Sequence, residues 1–274
     1  MSTLQVEEAG GLTTVQDRGR VGLAHLGVPR AGALDRPAAE LANRLLGNPP
    51  EAAVLEVTLG GFVARATDGT WAVVTGAGVS HPRAQWFEPG QRLQVPTPAA
   101  GVRSYVAVAG GFDVDPVLGS RSTDTLAWVG PPRVVEGSEL AIAGNARPRP
   151  MDVPRLPRPG PLRLHPGPHA AFFDDDVLEA ICSAAYDVRP ESNRVGLRLD
   201  GPSLGRRGSA ELPSEGMVLG AVQVPPDGQP VVLLADHPPT GGYPVVGVVH
   251  PDDLWQCAQL RPGEPVRFAA VRAS

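Results

Sequence analysis

Apolar and polar residues alternate over short stretches along most of the chain, which is the period expected of β-strands. Leu55, Val57 and Leu59 alternate with polar neighbours, whereas the runs at 231–235 and 245–249 are apolar throughout. Glycine and proline separate these stretches, a pattern typical of barrels and sandwiches. We therefore predict many short strands, and we expect the two continuous runs to be buried on both faces.

Three glycines each precede a pair of apolar residues spaced two positions apart. The three sets are Gly90 with Leu93 and Val95, Gly137 with Leu140 and Ile142, and Gly263 with Val266 and Phe268. Each set predicts a turn followed by a strand that points two side chains inward. Chance recurrence in a glycine-rich β protein is the alternative explanation.

Two segments have the period of an amphipathic helix instead. The first covers 35–46, with Asp35 as a candidate N-cap, Pro37 in the first turn and Gly47 at the C′ position. The second covers about 174–185 and opens with three aspartates, which suit the positive end of a helix dipole. Metal binding by these aspartates is the less favoured alternative.

A proline-rich stretch near the middle of the chain predicts an extended linker. Prolines occupy positions 148, 150, 154, 157 and 159, so neither a helix nor a central strand can form there. We predict an N-terminal β-barrel domain at 1–147, a linker at 148–160 and a C-terminal β-barrel domain at 161–274. The expected fold class is mainly β, with two barrel domains that each carry a short helix.

Charge and hydropathy exclude several classes of partner. The chain has 24 basic and 29 acidic residues and a net charge of −5, which opposes nucleic-acid binding. No apolar run approaches the roughly 20 residues needed to span a bilayer, and the acidic start lacks the features of a signal peptide. We expect a cytoplasmic protein without nucleic-acid or membrane partners, in which Cys182 and Cys257 are reduced and serve as packing residues.

All 24 basic residues are arginines, because the sequence contains no lysine. A P-loop needs a lysine for its phosphate contacts, and Schiff-base chemistry needs a lysine amine. Covalent attachment of biotin is excluded for the same reason. The chain therefore carries none of these functions by itself.

Polar residues concentrate among glycines in three clusters, where backbone and side chains can approach a ligand. The first covers 13–20, 27–29 and 32–35, the second covers 109–111 and 118–124, and the third is spread over 192–244. In the third cluster, Thr240-Gly241-Gly242 could present backbone N–H groups to an anion. A tight hairpin turn is the favoured interpretation of that segment.

Histidines do not form a convincing metal or nucleophile site in the sequence. His165 and His169 have a ligand-like spacing, but the prolines between them prevent the helix that would align both rings. His237 and His250 have no serine or cysteine partner nearby in sequence, and no G-x-S-x-G motif is present. We predict no metal-ligand cluster.

The same polar clusters resemble a known protein family. The stretches are TTVQDRGRVGLAHLGVPRAGALD, AVAGGFDVDPVLGSRST, ESNRVGLRLDGP and SEGMVLGAVQVPPDGQPVVLLADHPPTGGYP. They resemble the allophanate hydrolase subunit 2 family, also called biotin-dependent carboxyltransferase-like, in the same order and over nearly the whole chain. That family includes the C subunit of the bacterial three-subunit 5-oxoprolinase, a sporulation-kinase regulator and part of the carboxyltransferase domain of urea carboxylase. The resemblance implies two cyclophilin-like β-barrels and a tight complex with a homologue of the B subunit of 5-oxoprolinase.

The resemblance also implies a reaction. We expect a subunit of an ATP-dependent 5-oxoprolinase, a hydrolase that converts 5-oxo-L-proline, ATP and water into L-glutamate, ADP and phosphate. It would need ATP, Mg²⁺ and the partner subunits B and A, and would be inactive alone. The alternatives are the carboxyltransferase half-site of a biotin-dependent urea or amide carboxylase, and a non-catalytic regulator that binds a kinase inhibitor.

Candidate residues within the clusters follow from the parts that this reaction requires. A carboxylate or phosphate clamp suits Arg121 or Arg194, amide donors suit Gln16 and Asn193, and Mg²⁺-compatible oxygens suit acidic residues. The predicted catalytic set is Gln16, Asp17, Arg121, Asn193, Arg194, Glu215 and Asp227. The predicted substrate- or nucleotide-binding set is Arg20, Ser120, Ser122, Gln223, Asp236, Thr240, Gly241, Gly242 and Tyr243. We expect loops of both halves to form an incomplete pocket that a partner protein completes.

Overall fold

The computed structural model describes residues 2–144, 147–148, 153, 158–173, 176–207 and 212–271. The chain divides into two compact units, Met1–Arg20 with Ala31–Pro157 and Val21–Arg30 with Arg158–Ser274. Most of the predicted linker at 148–160 lies outside the described residues. None of the helices in the described ranges is long and apolar enough to cross a lipid bilayer.

The first unit is built from two antiparallel sheets. Its strands are β1 (Thr3–Ala9), β2 (Leu12–Gln16), β3 (Val54–Thr58), β4 (Phe62–Ala66), β5 (Thr70–Gly76), β6 (Gln85–Phe87), β7 (Arg92–Val95), β8 (Arg103–Val108) and β9 (Glu139–Ala141). One sheet has the order β7-β4-β1-β9 and the other β2-β3-β8-β5-β6. Apolar residues of both sheets, including Leu4, Phe62, Leu55 and Val106, form one buried core.

Helix α1 (Arg36–Leu46) confirms the first helix prediction. Asp35 Oδ1 accepts a hydrogen bond from Ala38 N at 3.0 Å, so it caps the helix start. Gly47 ends the helix in the left-handed region with φ +74, as expected of a C′ glycine. The apolar face, which includes Leu41 and Leu45, packs against β5 and β8.

The second unit contains a closed barrel. Its strands are β10 (Leu162–Pro166), β11 (Ala185–Val188), β12 (Gly196–Asp200), β13 (Glu215–Gly216), β14 (Ala221–Gln223), β15 (Val231–Leu233), β16 (Thr240–Gly241), β17 (Val245–Val249) and β18 (Pro265–Ala270). The barrel order is β10-β17-β14-β15-β12-β11-β18, closed by the parallel pairing of β10 with β18. Two short helices, α2 (Val177–Ser183) and α3 (Leu254–Cys257), complete the described elements of this unit apart from 3-10 turns. The mainly β fold class is confirmed.

The three predicted glycine turns are confirmed. Gly90, Gly137 and Gly263 have φ values of +80, +81 and +82, which explains why glycine occupies each turn. The apolar pair that follows each glycine is buried, at 9% exposure or less. These local signals locate the strands β7, β9 and β18.

Two expectations about local structure need correction. The second helix is shorter than predicted, because Ala184 is extended and the chain then enters β11. Asp176 stands at its N-cap position but makes no side-chain cap hydrogen bond, and the two preceding aspartates lie outside the described residues. The alternation predicted for β3 is also wrong at two positions. The polar residue Glu56 is buried at 1% exposure, whereas the apolar residue Leu59 lies past the strand with φ +59 and is 49% exposed.

Candidate functional site

Four predicted residues of the first unit meet at one carboxylate, and we call Asp17, Ser120, Arg121 and Ser122 the Asp17 cluster. Asp17 Oδ1 accepts hydrogen bonds from Gly19 N at 2.7 Å, Ser120 Oγ at 2.6 Å and Ser122 Oγ at 2.6 Å. Asp17 Oδ2 accepts one from Arg121 N at 2.6 Å. The carboxylate therefore ties the end of β2 to a loop about a hundred residues further along the chain.

The serine hydroxyls in this cluster are fully used within the fold. Ser120 Oγ also accepts from Ser122 N at 3.0 Å, and Ser122 Oγ accepts from Asp17 N at 2.8 Å. Burial alone would raise the pKa of Asp17. The hydrogen bonds from Ser120, Ser122 and the backbone N–H groups together lower it by more than burial raises it, so the pKa lies below its usual value. Asp17 is thus an ionised anchor for the loop that carries Arg121.

Arg121 is the member of this cluster with donors to spare. Its Nε donates to Val114 O at 2.6 Å, which fixes the plane of the guanidinium. Its two terminal nitrogens have no hydrogen-bond partner among the described residues. Since Arg121 is only half-buried, this fixed fork is suited to bidentate contact with a carboxylate or phosphate.

Arg20 and Gln16 support the cluster from inside the fold. Arg20 is 3% exposed and donates to Val117 O at 3.0 Å and to Ser122 O at 2.6 Å. Gln16 is fully buried, and its Nε2 donates to the Thr14 hydroxyl and to the Thr123 carbonyl. The Gln16 amide therefore has no donor left for an oxyanion in this structure.

Predicted residues of the second unit gather around a two-stranded ribbon, and we call Glu215, Gln223, Thr240, Gly241 and Tyr243 the ribbon cluster. In the pairing of β13 with β16, Glu215 lies opposite Gly241 and Thr240 opposite Gly216. The Thr240–Gly241 segment is therefore an extended strand and not the tight turn that the sequence favoured.

The Gln223 side chain lies close to Gly241 in the ribbon cluster. A Cβ atom on Gly241 would lie 2.7 Å from Gln223 Nε2 and 3.1 Å from Met217 Cγ, so a larger residue there would have to displace the Gln223 amide. Gln223 Nε2 also lies 3.1 Å from Met217 Sδ and 3.4 Å from Tyr243 O. Gly242 follows the ribbon and is half-buried, and the Tyr243 side chain is exposed.

Arg194 and Asp236 form a buried ion pair. Arg194 Nε lies 2.8 Å from Asp236 Oδ2, and Nη2 lies 2.9 Å from Oδ1, a bidentate arrangement. The two residues are 2% and 0% exposed. In this structure each charge is neutralised by the other, so neither is presented as a ligand clamp or a metal ligand.

Asn193 and Asp227 stabilise turns. Asn193 Oδ1 accepts from Val195 N at 2.8 Å and from Gly196 N at 3.3 Å. Asp227 Oδ1 accepts from Gln229 N at 3.1 Å. Among the described residues, neither side chain contacts a member of the ribbon cluster.

Two histidines that sequence reasoning did not select lie in buried positions of the second unit. His169 Nε2 lies 3.3 Å from Glu215 Oε2, and His169 Nδ1 accepts from Val245 N at 3.1 Å. His237 Nδ1 lies 2.8 Å from Pro238 O, and burial lowers the pKa of His237, which favours the neutral ring. No local pattern links His169 to Glu215, because their contact depends on how the strands are arranged.

Comparison with known proteins assigns the family. The family described as "Carboxyltransferase domain, subdomain A and B" matches residues 26–270. The chain belongs to this carboxyltransferase family. The carboxyltransferase-like resemblance found in the sequence is thereby confirmed.

The relatives of this carboxyltransferase-family chain include proteins of different lengths. The C subunit of 5-oxoprolinase from Escherichia coli (strain K12) is 38% identical over 279 aligned positions, covering 97% of this chain and 90% of the relative. The solved structure of TTHA0988 is 38% identical with a TM-score of 0.87, covering 98% of this chain but only 55% of that chain. The K. lactis urea amidolyase structure is 27% identical with a TM-score of 0.89, covering 98% of this chain and 19% of that chain.

Proposed function

We propose that this chain is a subunit of an ATP-dependent 5-oxoprolinase that acts with partner subunits B and A. The similarity to the C subunit of E. coli 5-oxoprolinase supports the proposal, because it extends over 97% of this chain and 90% of that protein. The match to urea amidolyase covers only 19% of a much longer chain. The reaction would open the lactam of 5-oxo-L-proline to give L-glutamate.

The chemistry of the substrate indicates what the protein must supply. An unactivated lactam is a poor electrophile, and transfer of the γ-phosphoryl group of ATP to its amide oxygen would make the ring carbon open to attack by water. The substrate carboxylate needs a cationic clamp. The Arg121 fork has a fixed plane for that contact, and its terminal nitrogens have no partner in the part of the chain that the structure describes.

Mg²⁺ would accompany ATP, and the carboxylates differ in their fitness to hold it. Asp17 and Asp236 direct their oxygens at internal donors. The Glu215 side chain is 45% exposed and fits, since Mg²⁺ in nucleotide sites needs only one or two carboxylates besides phosphates and water. Bound with ATP, the ion would offset phosphate charge.

Reconstitution of the complex tests the proposal. The chain is co-expressed with homologues of subunits B and A, and release of L-glutamate and ADP from 5-oxo-L-proline and ATP is measured. We expect turnover by the three-subunit assembly and none by this chain alone or by any pair. An inert three-subunit assembly, with all subunits folded and associated, would refute the enzyme assignment.

A carboxyltransferase half-site is a second candidate, supported by the TM-score of 0.89 to urea amidolyase. Because the chain has no lysine, biotin would have to arrive on a separate carrier. Calorimetry on the complex with the B partner measures binding of free biotin. Saturable binding together with no 5-oxoproline turnover would favour this second function.

A further inference from the structure

His169 contacts two elements of the second unit through its two ring nitrogens. Nδ1 accepts a hydrogen bond from the backbone N–H of Val245, the first residue of β17, at 3.1 Å. Nε2 lies 3.3 Å from Oε2 of Glu215 on β13. The residue is 8% exposed, and its ring meets Phe172 edge-on with centroids 5.8 Å apart. The imidazole is therefore held in place by its neighbours.

The contact with Val245 determines the tautomer of His169. A backbone N–H can only donate, so Nδ1 must carry the lone pair. The proton of the neutral ring then lies on Nε2, the nitrogen that faces the Glu215 carboxylate. The ring thus carries its N–H group on the nitrogen that lies 3.3 Å from the Glu215 carboxylate, within ion-pair distance.

The Glu215 side chain is held by packing less than a buried carboxylate would be, so a contact from a fixed neighbour has more effect on its orientation. Its side chain is 45% exposed and stands on a strand of two residues, so its torsions are weakly restricted by packing. We propose that His169 is a positioning residue, which holds the Glu215 carboxylate in the orientation that the ribbon cluster uses toward MgATP or substrate. The expected effect on 5-oxoproline turnover rests on the proposed function, whereas the contact between His169 and Glu215 does not depend on it.

Two conservative variants separate the two contacts of the ring. His169→Gln places an amide N–H near the position of Nε2, so it keeps a donor toward Glu215. His169→Asn places an amide oxygen near the position of Nδ1, so it keeps the acceptor for Val245 N and loses the donor toward Glu215. His165→Gln is the control, since that ring stacks on His250 and makes no hydrogen bond or ion pair with Glu215 among the described residues.

The first measurement is steady-state kinetics of the reconstituted three-subunit assembly. We expect His169→Asn to lower kcat/KM by about tenfold or more, as Glu215→Ala does, while His169→Gln and His165→Gln stay within about threefold of wild type. Thermal unfolding confirms that each variant is folded. If Glu215→Ala lowers kcat/KM and His169→Asn does not, or if His169→Gln is as impaired as His169→Asn, the positioning role is refuted.

The second measurement does not depend on activity. Long-range ¹H–¹⁵N NMR spectra of the chain report which nitrogen of His169 carries the proton. We expect the Nε2–H tautomer, and we expect Glu215→Ala to shift the Nε2 resonance while Gly216→Ala leaves it unchanged. An Nδ1–H tautomer, or an Nε2 signal insensitive to Glu215→Ala, refutes the inference. An inactive wild-type assembly with the expected NMR result would instead refute only the proposed function.

Discussion

The buried ion pair of the second unit allows a direct test of how its charges stabilise the fold. Arg194 and Asp236 are 2% and 0% exposed and are joined by two contacts of 2.8 and 2.9 Å. Asp236→Asn keeps the size of the side chain but removes its charge. The Arg194 guanidinium then remains buried without the carboxylate that neutralises it.

The expected loss follows from the burial of both partners. Removing one partner of a buried pair costs about 3–5 kcal/mol, because the remaining charge stays desolvated. Replacing both partners with apolar residues of similar volume is often neutral or stabilising. We therefore expect Asp236→Asn to lower the free energy of unfolding by about 3 kcal/mol or more, and Arg194→Met with Asp236→Leu to recover most of that loss.

Urea unfolding followed by circular dichroism measures both effects. Glu191→Gln is the control, because Glu191 pairs with Arg189 at 3.5 Å on the surface of the same unit and should contribute less than about 1 kcal/mol. If Asp236→Asn destabilises the protein no more than Glu191→Gln does, the view of this pair as a desolvated structural contact is wrong.

Three further predictions concern the two clusters. Asp17→Asn should destabilise the protein at neutral pH. Since the pKa of Asp17 is lowered on folding, the stabilisation by its charge is present above about pH 4 and is lost as the pH falls through the folded pKa. The difference in the free energy of unfolding between the variant and wild type should therefore shrink in acid, as measured by unfolding curves at each pH. Gly241→Ala should displace the Gln223 amide, 2.7 Å from the new Cβ, and lower kcat/KM of the assembled enzyme by about tenfold with little loss of stability. Arg121→Lys keeps the charge but loses the fork, and should raise the KM for 5-oxo-L-proline by about tenfold in steady-state assays.

Each of these variants has a matched control in the same unit. Asp115→Asn removes an exposed carboxylate and should leave the pH dependence of unfolding unchanged. Gly216→Ala adds a Cβ that meets no atom within 4 Å, so its kinetics should match wild type. Arg133→Ala removes an exposed arginine and should leave KM unaltered. Equal effects of a variant and its control would contradict the corresponding prediction.

Local features of the fold were accessible from the sequence because their causes are local. Helix α1 could be predicted together with both ends, since the Asp35 cap and the Gly47 terminator act within one turn of the helix. The glycine turns before β7, β9 and β18 are equally local. The burial of Glu56 could not be predicted, because Tyr105 and the backbone of Leu34 reach it only after β3 and β8 pair.

The candidate site shows the same division. The sequence selected Asp17, Ser120, Arg121 and Ser122 as polar residues near glycines, and the structure brings them together. Their individual roles depended on hydrogen bonds that the sequence does not reveal. Three of these side chains hydrogen-bond one another, whereas the terminal guanidinium nitrogens of Arg121 have no hydrogen-bond partner within the described ranges.

The sequence by itself determined the mainly β class, the capped helix and the exclusion of lysine chemistry, because composition and short-range periodicity carry that information. The family followed from the resemblance of its motifs, which the match over residues 26–270 confirms. Only the tertiary structure decided that Arg194 and Asp236, 42 residues apart, neutralise each other, and that the His169 ring faces Glu215. A polar side chain is available to a ligand only if no other part of the fold satisfies it. That condition is set by strand order and register, which bring distant residues within hydrogen-bond distance.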